Sequence, residues 1–158
     1  MNKLSWYDAS EEVKELLVLA TDNWEDSSLS EQYMNQALEK AGDNIDVLVG
    51  AYRFFFYKNK SEIALKIAKK VLNIIQEKEN LPLAWEQLQP ILKERQKEES
   101  IRLYLNAYAS QGYILAKMGK IEAAKLITER VQMIDENRES CATTVFEVLT
   151  KDADKDDD

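Results

Sequence analysis

The residues of this chain that are suited to recognition are aromatic and basic, and they begin in the same segment. Residues 51–60 read AYRFFFYKNK, with five aromatic side chains in positions 52–57. Residues 53–78 contain seven Lys or Arg against two Glu, although the whole chain has a formal net charge of −8. Aromatic rings supply rigid contact area and an arginine adds a directional donor, so this combination predicts a binding surface.

Residues that could do catalytic chemistry are scarce. The sequence has no histidine, which excludes His-based triads and His-ligated metal sites. The single cysteine, Cys141, has no histidine to activate it, so we expect it to pack as a small apolar residue. The four glycines are scattered and form no phosphate-binding loop, and the acidic tail lacks the turn glycine of a calcium loop. We therefore predict a protein that is not an enzyme and that uses no cofactor or metal.

Composition predicts an all-α fold. The 158 residues include only four Gly and two Pro, and strong helix formers are abundant. We expect one helical domain at 1–150, followed by an acidic disordered tail at 151–158 with five Asp against two Lys. A single cysteine fits a reducing compartment, and no apolar run approaches the length of a spanning helix. These features predict a cytoplasmic protein that does not enter a membrane.

Helix-end signals divide the chain into short helices. Asp8 is the expected N-cap of the first helix, Ser28 and Glu31 form a possible capping box, and Gly42 is a plausible stop. Pro90 is expected to kink or break its helix. Eight helices are predicted. The first spans about 9–21, the second begins at 28, the third contains 45–57, and the fourth begins at Asn59 and Glu62. The other four are a short helix at 83–88, one at about 100–118, one from Gly119 and Glu122 to about 134, and a last short one at 141–149.

A repeat signal accompanies this helical pattern. Four positions of the second helix recur, with similar residues, 34 positions later: Ser30, Met34, Ala37 and Leu38 as Ala64, Ala68, Val71 and Leu72. Residues 108–137 resemble a tetratricopeptide repeat, a 34-residue helix–turn–helix unit. The residues that match are Tyr108, Gly112, Leu115, Gly119, Ala124 and Val131. The segment departs from the pattern at Thr128, where a bulky residue is usual, and at Glu136, where a proline usually closes the unit.

This resemblance implies antiparallel helical hairpins in a right-handed superhelical array. Gly112 and Ala124 would lie where paired helices approach closely, and Gly119 would make the turn. Upstream the resemblance is weaker, because Tyr52 stands where a small residue is expected and Asn59 replaces the turn glycine. Ala64 and Ala124 are 60 rather than 34 positions apart, so an irregular insertion separates their units. The alternative is an unrelated irregular helical bundle.

The helix that holds the aromatic cluster has one polar window. At about 100° per residue, positions 45–57 are apolar nearly all round, except where Asp46, Arg53 and Tyr57 project. In the tetratricopeptide family the first helix of each unit lines a concave groove that takes segments of partner proteins. By that resemblance the expected groove residues are Val49, Arg53, Phe56, Tyr57, Asn106, Tyr113 and Lys117. The alternative is an ordinary solvated stripe with an Asp46–Arg53 pair.

These observations favour a protein–protein interaction module, an adaptor or chaperone that holds a peptide segment or partner helix. One alternative is nucleic-acid binding through Phe56, Tyr57 and a basic patch, although the net charge of −8 argues against non-specific binding by the whole molecule. A solvated helix face would explain the same patch, which consists of Lys58, Lys60, Lys66, Lys69 and Lys70. The other alternative is a self-associating structural module such as a homodimer. The identity of the partner stays open.

Overall fold

The computed structural model describes residues 9–134, and within this range the chain forms seven α-helices and no strand. The prediction of an all-α fold is confirmed. The helices are α1 (Glu11–Asp22), α2 (Ser27–Ala41), α3 (Ile45–Tyr57), α4 (Ser61–Glu79), α5 (Trp85–Glu94), α6 (Glu99–Lys117) and α7 (Ile121–Ile134). The expected helix at 141–149, Cys141 and the tail at 151–158 lie outside the described residues. Among the helices in this range, none is both long enough and apolar enough to cross a membrane.

The described residues form two compact units, one before and one after the boundary between Ile67 and Ala68. The first unit includes α1, α2 and α3, and the second includes α5, α6 and α7. The boundary falls within α4, between Ile67 and Ala68. The predicted single domain at 1–150 and the superhelical arrangement stay predictions.

In the first unit α1 packs against α2, and α2 contacts α3. Val13, Leu17 and Ala20 form the buried side of α1, at the three- and four-residue spacing of one helix face. The buried Ser30 hydroxyl of α2 donates to the Ala20 carbonyl oxygen at 2.6 Å, which satisfies a polar group that burial would otherwise penalise.

Both helices of this hairpin begin at other residues than predicted. The cap of α1 is Ser10 rather than Asp8, since its hydroxyl accepts from the Val13 amide at 3.2 Å. The cap of α2 is Asp26, whose carboxylate accepts from the Leu29 amide at 3.2 Å, so the Ser28–Glu31 capping box is wrong. Several adjacent residues could cap in each case, and propensity alone does not select among them.

In the second unit α6 packs against α7 at close range. A Cβ atom added to Gly112 would lie 2.9 Å from the Thr128 Cγ2 atom and 3.1 Å from the Ile127 Cγ2 atom. The expected close approach at Gly112 is therefore present. Thr128 is fully buried, and its hydroxyl donates to the Ala124 carbonyl oxygen at 2.9 Å within α7.

Pro90 does not break its helix, so that predicted outcome is wrong, whereas the alternative of a kink stays a prediction. It lies inside α5, which continues to Glu94. Leu88 and Leu92 flank the proline at a spacing of four residues and are both buried. Burial of these two side chains offsets the backbone hydrogen bond that proline cannot make.

A charged cluster holds the C-terminal end of α5. The Arg95 guanidinium pairs with Glu79 and, at 2.8 Å, with Glu98. These contacts lower the pKa of both carboxyl groups below their usual range.

Candidate partner-binding surface

The exposed side of α3 carries Arg53 and Tyr57. Asn44 caps this helix by accepting from the Val47 amide at 3.2 Å, which fixes where its turns begin. Tyr57 is 69% exposed and Arg53 is also exposed, whereas Tyr52, Phe54 and Phe55 are buried. Arg53 forms no ion pair or hydrogen bond with any residue in the described range, so it does not pair with Asp46. The predicted polar window is therefore present on α3.

Two further residues predicted for this surface are less accessible. Val49 is only 5% exposed, so it supports the surface from beneath rather than offering contact area. Phe56 is half-buried, and its ring meets the Tyr57 ring edge-on with centroids 5.6 Å apart. We call Arg53, Phe56 and Tyr57 the α3 face.

The end of α3 is tied to the loop between α1 and α2. The Lys58 ammonium donates to the Trp24 carbonyl oxygen and lies 3.8 Å from the centre of the Trp24 ring. It also donates to the Ser27 hydroxyl at 3.3 Å. The Trp24 ring in turn packs edge-on against Phe54, with centroids 5.3 Å apart. Lys58 is therefore used within the unit, and one member of the predicted basic patch holds the scaffold of the α3 face.

The rest of the predicted basic patch remains at the surface. Lys60 precedes α4, and Lys66, Lys69 and Lys70 project from α4; all four are exposed. Lys70 also interacts with another group. The described residues contain no group of three or more Cys, Asp or Glu that could hold a metal ion.

The equivalent side of α6 carries Asn106, Tyr113 and Lys117, which we call the α6 face. Tyr113 is 47% exposed, Lys117 is exposed and Asn106 is half-buried. Tyr113 and Lys117 both interact with other groups of the chain. The three predicted residues therefore lie on one helix, with the aromatic and the cation in the accessible positions.

An arginine–aromatic cluster on the second unit fixes α5 and α7. The Arg130 guanidinium carbon lies 4.8 Å from the centre of the Trp85 ring, and Nη1 of Arg130 donates to the Tyr108 hydroxyl at 3.3 Å. Tyr104 packs beside Tyr108, with ring centroids 6.2 Å apart, and burial raises the pKa of Tyr104 to about 12. Trp85, Tyr108 and Arg130 are half-buried and Tyr104 is buried, and these contacts join α6 to α5 and α7.

The turns that join α3 to α4 and α6 to α7 share one geometry. After α3, the Asn59 amide donates to the Phe56 carbonyl oxygen at 3.0 Å and the Lys60 amide donates to the Phe55 carbonyl oxygen at 2.8 Å. After α6, the Gly119 amide donates to the Ala116 carbonyl oxygen at 3.0 Å and the Lys120 amide donates to the Leu115 carbonyl oxygen at 2.9 Å. Asn59 and Gly119 both have positive φ, at 64° and 84°. At this 60-residue offset, the exposed Arg53 corresponds to the exposed Tyr113.

Sequence reasoning missed the corresponding side of α1. The 34-residue offset that relates Ser30 to Ala64 also relates Leu19 to Arg53. Leu19 is 38% exposed, and Glu15 and Asp22 are exposed on the same helix. We call these three residues the α1 face. The signal was available, because the offset was recognised for the second helix of the hairpin but not carried to the first.

Comparison with known proteins gives a relative in Azotobacter chroococcum. No family model matches the sequence, and no solved structure matches it. The chain is 30% identical over 125 residues to the "Uncharacterized 19.8 kDa protein in nifW 5'region" of Azotobacter chroococcum mcd 1. The match covers 77% of this chain and 70% of that protein.

Proposed function

We propose that this chain, which belongs to the same family as the Azotobacter protein from the nifW 5' region, is a protein–protein interaction module. It acts as an adaptor or chaperone without catalysis of its own, and the α3 face and the α6 face are each a surface that binds a peptide segment or a partner helix. In this proposal the hairpins are tetratricopeptide-like units. The printed name of the relative describes no activity, so the argument comes from the geometry.

The observation that carries the proposal is that Arg53 and Tyr113 occupy corresponding positions of α3 and α6. Each is exposed on the first helix of a hairpin, and each is followed on its C-terminal side by two buried residues. Four residues further along, Tyr57 and Lys117 are exposed as well. Each face therefore presents an exposed tyrosine four residues from a cation, and Tyr and Arg are among the residue types that carry most of the binding energy at protein interfaces.

The recurring turn and the recurring buried positions after it support a repeat origin for these faces. Ala64 and Ala124 are both fully buried near the start of the second helix, and Val71 and Val131 are both fully buried two turns later. The two turns also have the same hydrogen bonds. A repeated scaffold that keeps its core and varies its exposed positions is typical of helical repeat proteins, which use those positions for recognition.

The proposal is tested by capturing partners from a lysate of the source cells. Wild-type protein is compared with an Arg53→Ala/Tyr57→Ala double variant, and bound proteins are identified by mass spectrometry. Both substituted side chains are exposed, so the variant should keep its helical content and melting temperature. We expect the specific partners of the wild type to be lost or reduced at least about tenfold, the size of effect that removing interface anchors produces.

The matched control is Lys66→Ala/Lys69→Ala, which removes two exposed side chains from α4. We expect this variant to retain the wild-type partners. If the folded Arg53→Ala/Tyr57→Ala variant captures the same set as the wild type, binding through the α3 face is wrong. If the lysine variant alone loses its ligands and those ligands are nucleic acids, the basic patch is the functional surface instead.

A further inference from the structure

We infer that the α1 face of one copy of this chain docks on the start of α4 in a second copy. An open groove of about 500 Å³ lies along α1, and among the described residues its lining includes the apolar side chains of Val18 and Leu19. Val18 is 49% exposed and Leu19 is 38% exposed. Glu15 and Asp22 are exposed before and after these two residues. This side of α1 is therefore apolar at its centre and acidic at its ends, so it suits a basic helix with one apolar anchor.

The start of α4 carries the complementary pattern. Ile63 is 42% exposed, and Lys60 and Lys66 are exposed three residues before and after it. Residues three positions apart are neighbours on the surface of a helix, so the two ammonium groups flank the isoleucine. We call Lys60, Ile63 and Lys66 the α4 face. It is apolar at its centre and basic at its ends, which is the opposite charge arrangement to that of α1.

The two faces also match in length. The two carboxylates of the α1 face are seven residues apart, which is about 10.5 Å along a helix. The two lysines of the α4 face are six residues apart, which is about 9 Å. Val18 and Leu19 lie at the middle of the first interval, as Ile63 does in the second. When the two helices lie side by side, Ile63 can enter the groove at Val18 and Leu19 while each lysine faces a carboxylate.

The charged groups of both faces are open to a second copy. Within the described residues none of these four side chains forms an ion pair, so they do not pair with one another in one copy. Lys14 also lines the groove, but its ammonium pairs with Glu11 at 3.4 Å. Asp22 is the last residue of α1 and Lys60 immediately precedes α4, and the helix dipole disfavours each charge at its position. Contact between copies would give both of these charges an opposite partner.

The experiment is sedimentation equilibrium of the full-length chain between about 10 and 500 µM, because small interfaces associate weakly. We expect the weight-average mass of the wild type to rise with concentration above the 18.3 kDa of one copy. Glu15→Lys/Asp22→Lys and Lys60→Glu/Lys66→Glu should each weaken association at least about tenfold, because attractive contacts become repulsive. An equimolar mixture of the two variants should associate again, because the intact α4 face of the first variant meets the intact α1 face of the second.

The matched control is Lys97→Glu/Lys120→Glu, which changes the net charge by the same amount as the α4 variant at two exposed lysines outside both faces. We expect this variant to associate within about twofold of the wild type, since distant exposed charges are screened by salt. Equal losses in the control and the α4 variant would mean that total charge governs association, and the inference would be overturned. Circular dichroism and melting temperature confirm that all variants fold.

Further outcomes test the choice of the two faces. A wild type that stays monomeric over the whole range would overturn the inference, and so would a mixture of the two charge variants that stays monomeric. Ile63→Ser should weaken association at least about fivefold, because it removes the apolar anchor. Arg53→Ala/Tyr57→Ala should associate as the wild type does, which keeps this contact separate from the proposed function. Loss of association in that variant would assign the contact to the α3 face and overturn the inference.

Discussion

The turns that join α3 to α4 and α6 to α7 follow the same backbone path with different residues at the decisive position. Asn59 has a φ of 64° and Gly119 has a φ of 84°. Glycine reaches positive φ without steric cost, and asparagine is one of the few other residues that tolerates it. The absence of a glycine from the turn after α3 weakened the resemblance at the level of sequence. The hydrogen bonds of the turn are nevertheless the same.

The same two hairpins differ where the side chains are buried. Gly112 of α6 allows close approach to Thr128 and Ile127 of α7. The equivalent residue of α3 is Tyr52, which is 2% exposed. One hairpin therefore buries a large aromatic at this position and the other buries none. The turn is shared, whereas the side chain buried at this position differs between α3 and α6.

The largest expected effect comes from removing the buried aromatic. Tyr52→Ala leaves a cavity inside the core and should lower the free energy of unfolding by about 3–5 kcal/mol. Urea denaturation followed by circular dichroism measures this change. Tyr57→Ala on the same helix is the control, because Tyr57 is 69% exposed and its loss should change stability by no more than about 0.5 kcal/mol. Equal effects of the two substitutions would contradict the burial difference.

The converse change introduces a methyl group where α6 has none. Gly112→Ala should cost about 1–3 kcal/mol by overpacking against Thr128, partly offset by about 1 kcal/mol of helix propensity. Thr128 is β-branched and its hydroxyl is bonded to Ala124, so it cannot easily move aside.

The companion variant is Thr128→Ala, which places at this position the residue type that α4 has in Ala68. In a double-mutant cycle Gly112→Ala should be less harmful in the Thr128→Ala background. A stabilising Gly112→Ala in the wild-type background would show that the helices are not in close contact there.

The sequence was sufficient to predict the helical class and most helix positions, because apolar spacing and turn residues agree along α3, α6 and α7. Gly42 and Gly119 marked ends correctly, since both have positive φ in the structure. The starts of α1 and α2 were wrong because Ser10 and Asp26 compete with neighbouring residues that cap equally well. The break at Pro90 was wrong because burial of Leu88 and Leu92 is a tertiary effect that no local rule contains.

The candidate surface was predictable in part for similar reasons. Helical angles placed Arg53 and Tyr57 at the surface, since 100° per residue is a fixed property of the helix. They did not show that Val49 is buried or that Lys58 is held by Trp24, because both depend on residues far away in sequence. Predicting the α1 face would have required applying the 34-residue offset to α1 as well as to α2.

The turn comparison predicts different tolerance to two residues at position 119. Gly119→Ala should cost about 1 kcal/mol, because a Cβ atom in the left-handed region is strained even though no other atom lies within 4 Å. Gly119→Asn should lower the free energy of unfolding by only a few tenths of that amount, because Asn59 occupies the equivalent position in the turn after α3. Thermal melting of both variants measures the difference. An alanine variant as stable as the asparagine variant would contradict the backbone argument.

The smallest effect is expected at the Lys58 clamp, which lies just after α3. Lys58→Met keeps an apolar stem beside Trp24 but removes the ammonium from the ring and from the carbonyl oxygen. We expect a loss of about 0.5–1 kcal/mol in the free energy of unfolding. Lys66→Met is the control for removing an exposed cation nearby in sequence. Identical stability of the two variants would mean that the clamp contributes nothing.

The central claim is that the first helices of the two hairpins bind the same partner through equivalent positions. A photo-reactive amino acid placed at position 53 or 113 tests this most directly, with positions 66 and 126 as controls. Lys66 and Leu126 are equivalent exposed residues of the second helices. We predict that residues 53 and 113 cross-link to one and the same protein, and that residues 66 and 126 do not. Cross-linking of that protein from 66 and 126 but not from 53 and 113 would contradict the account.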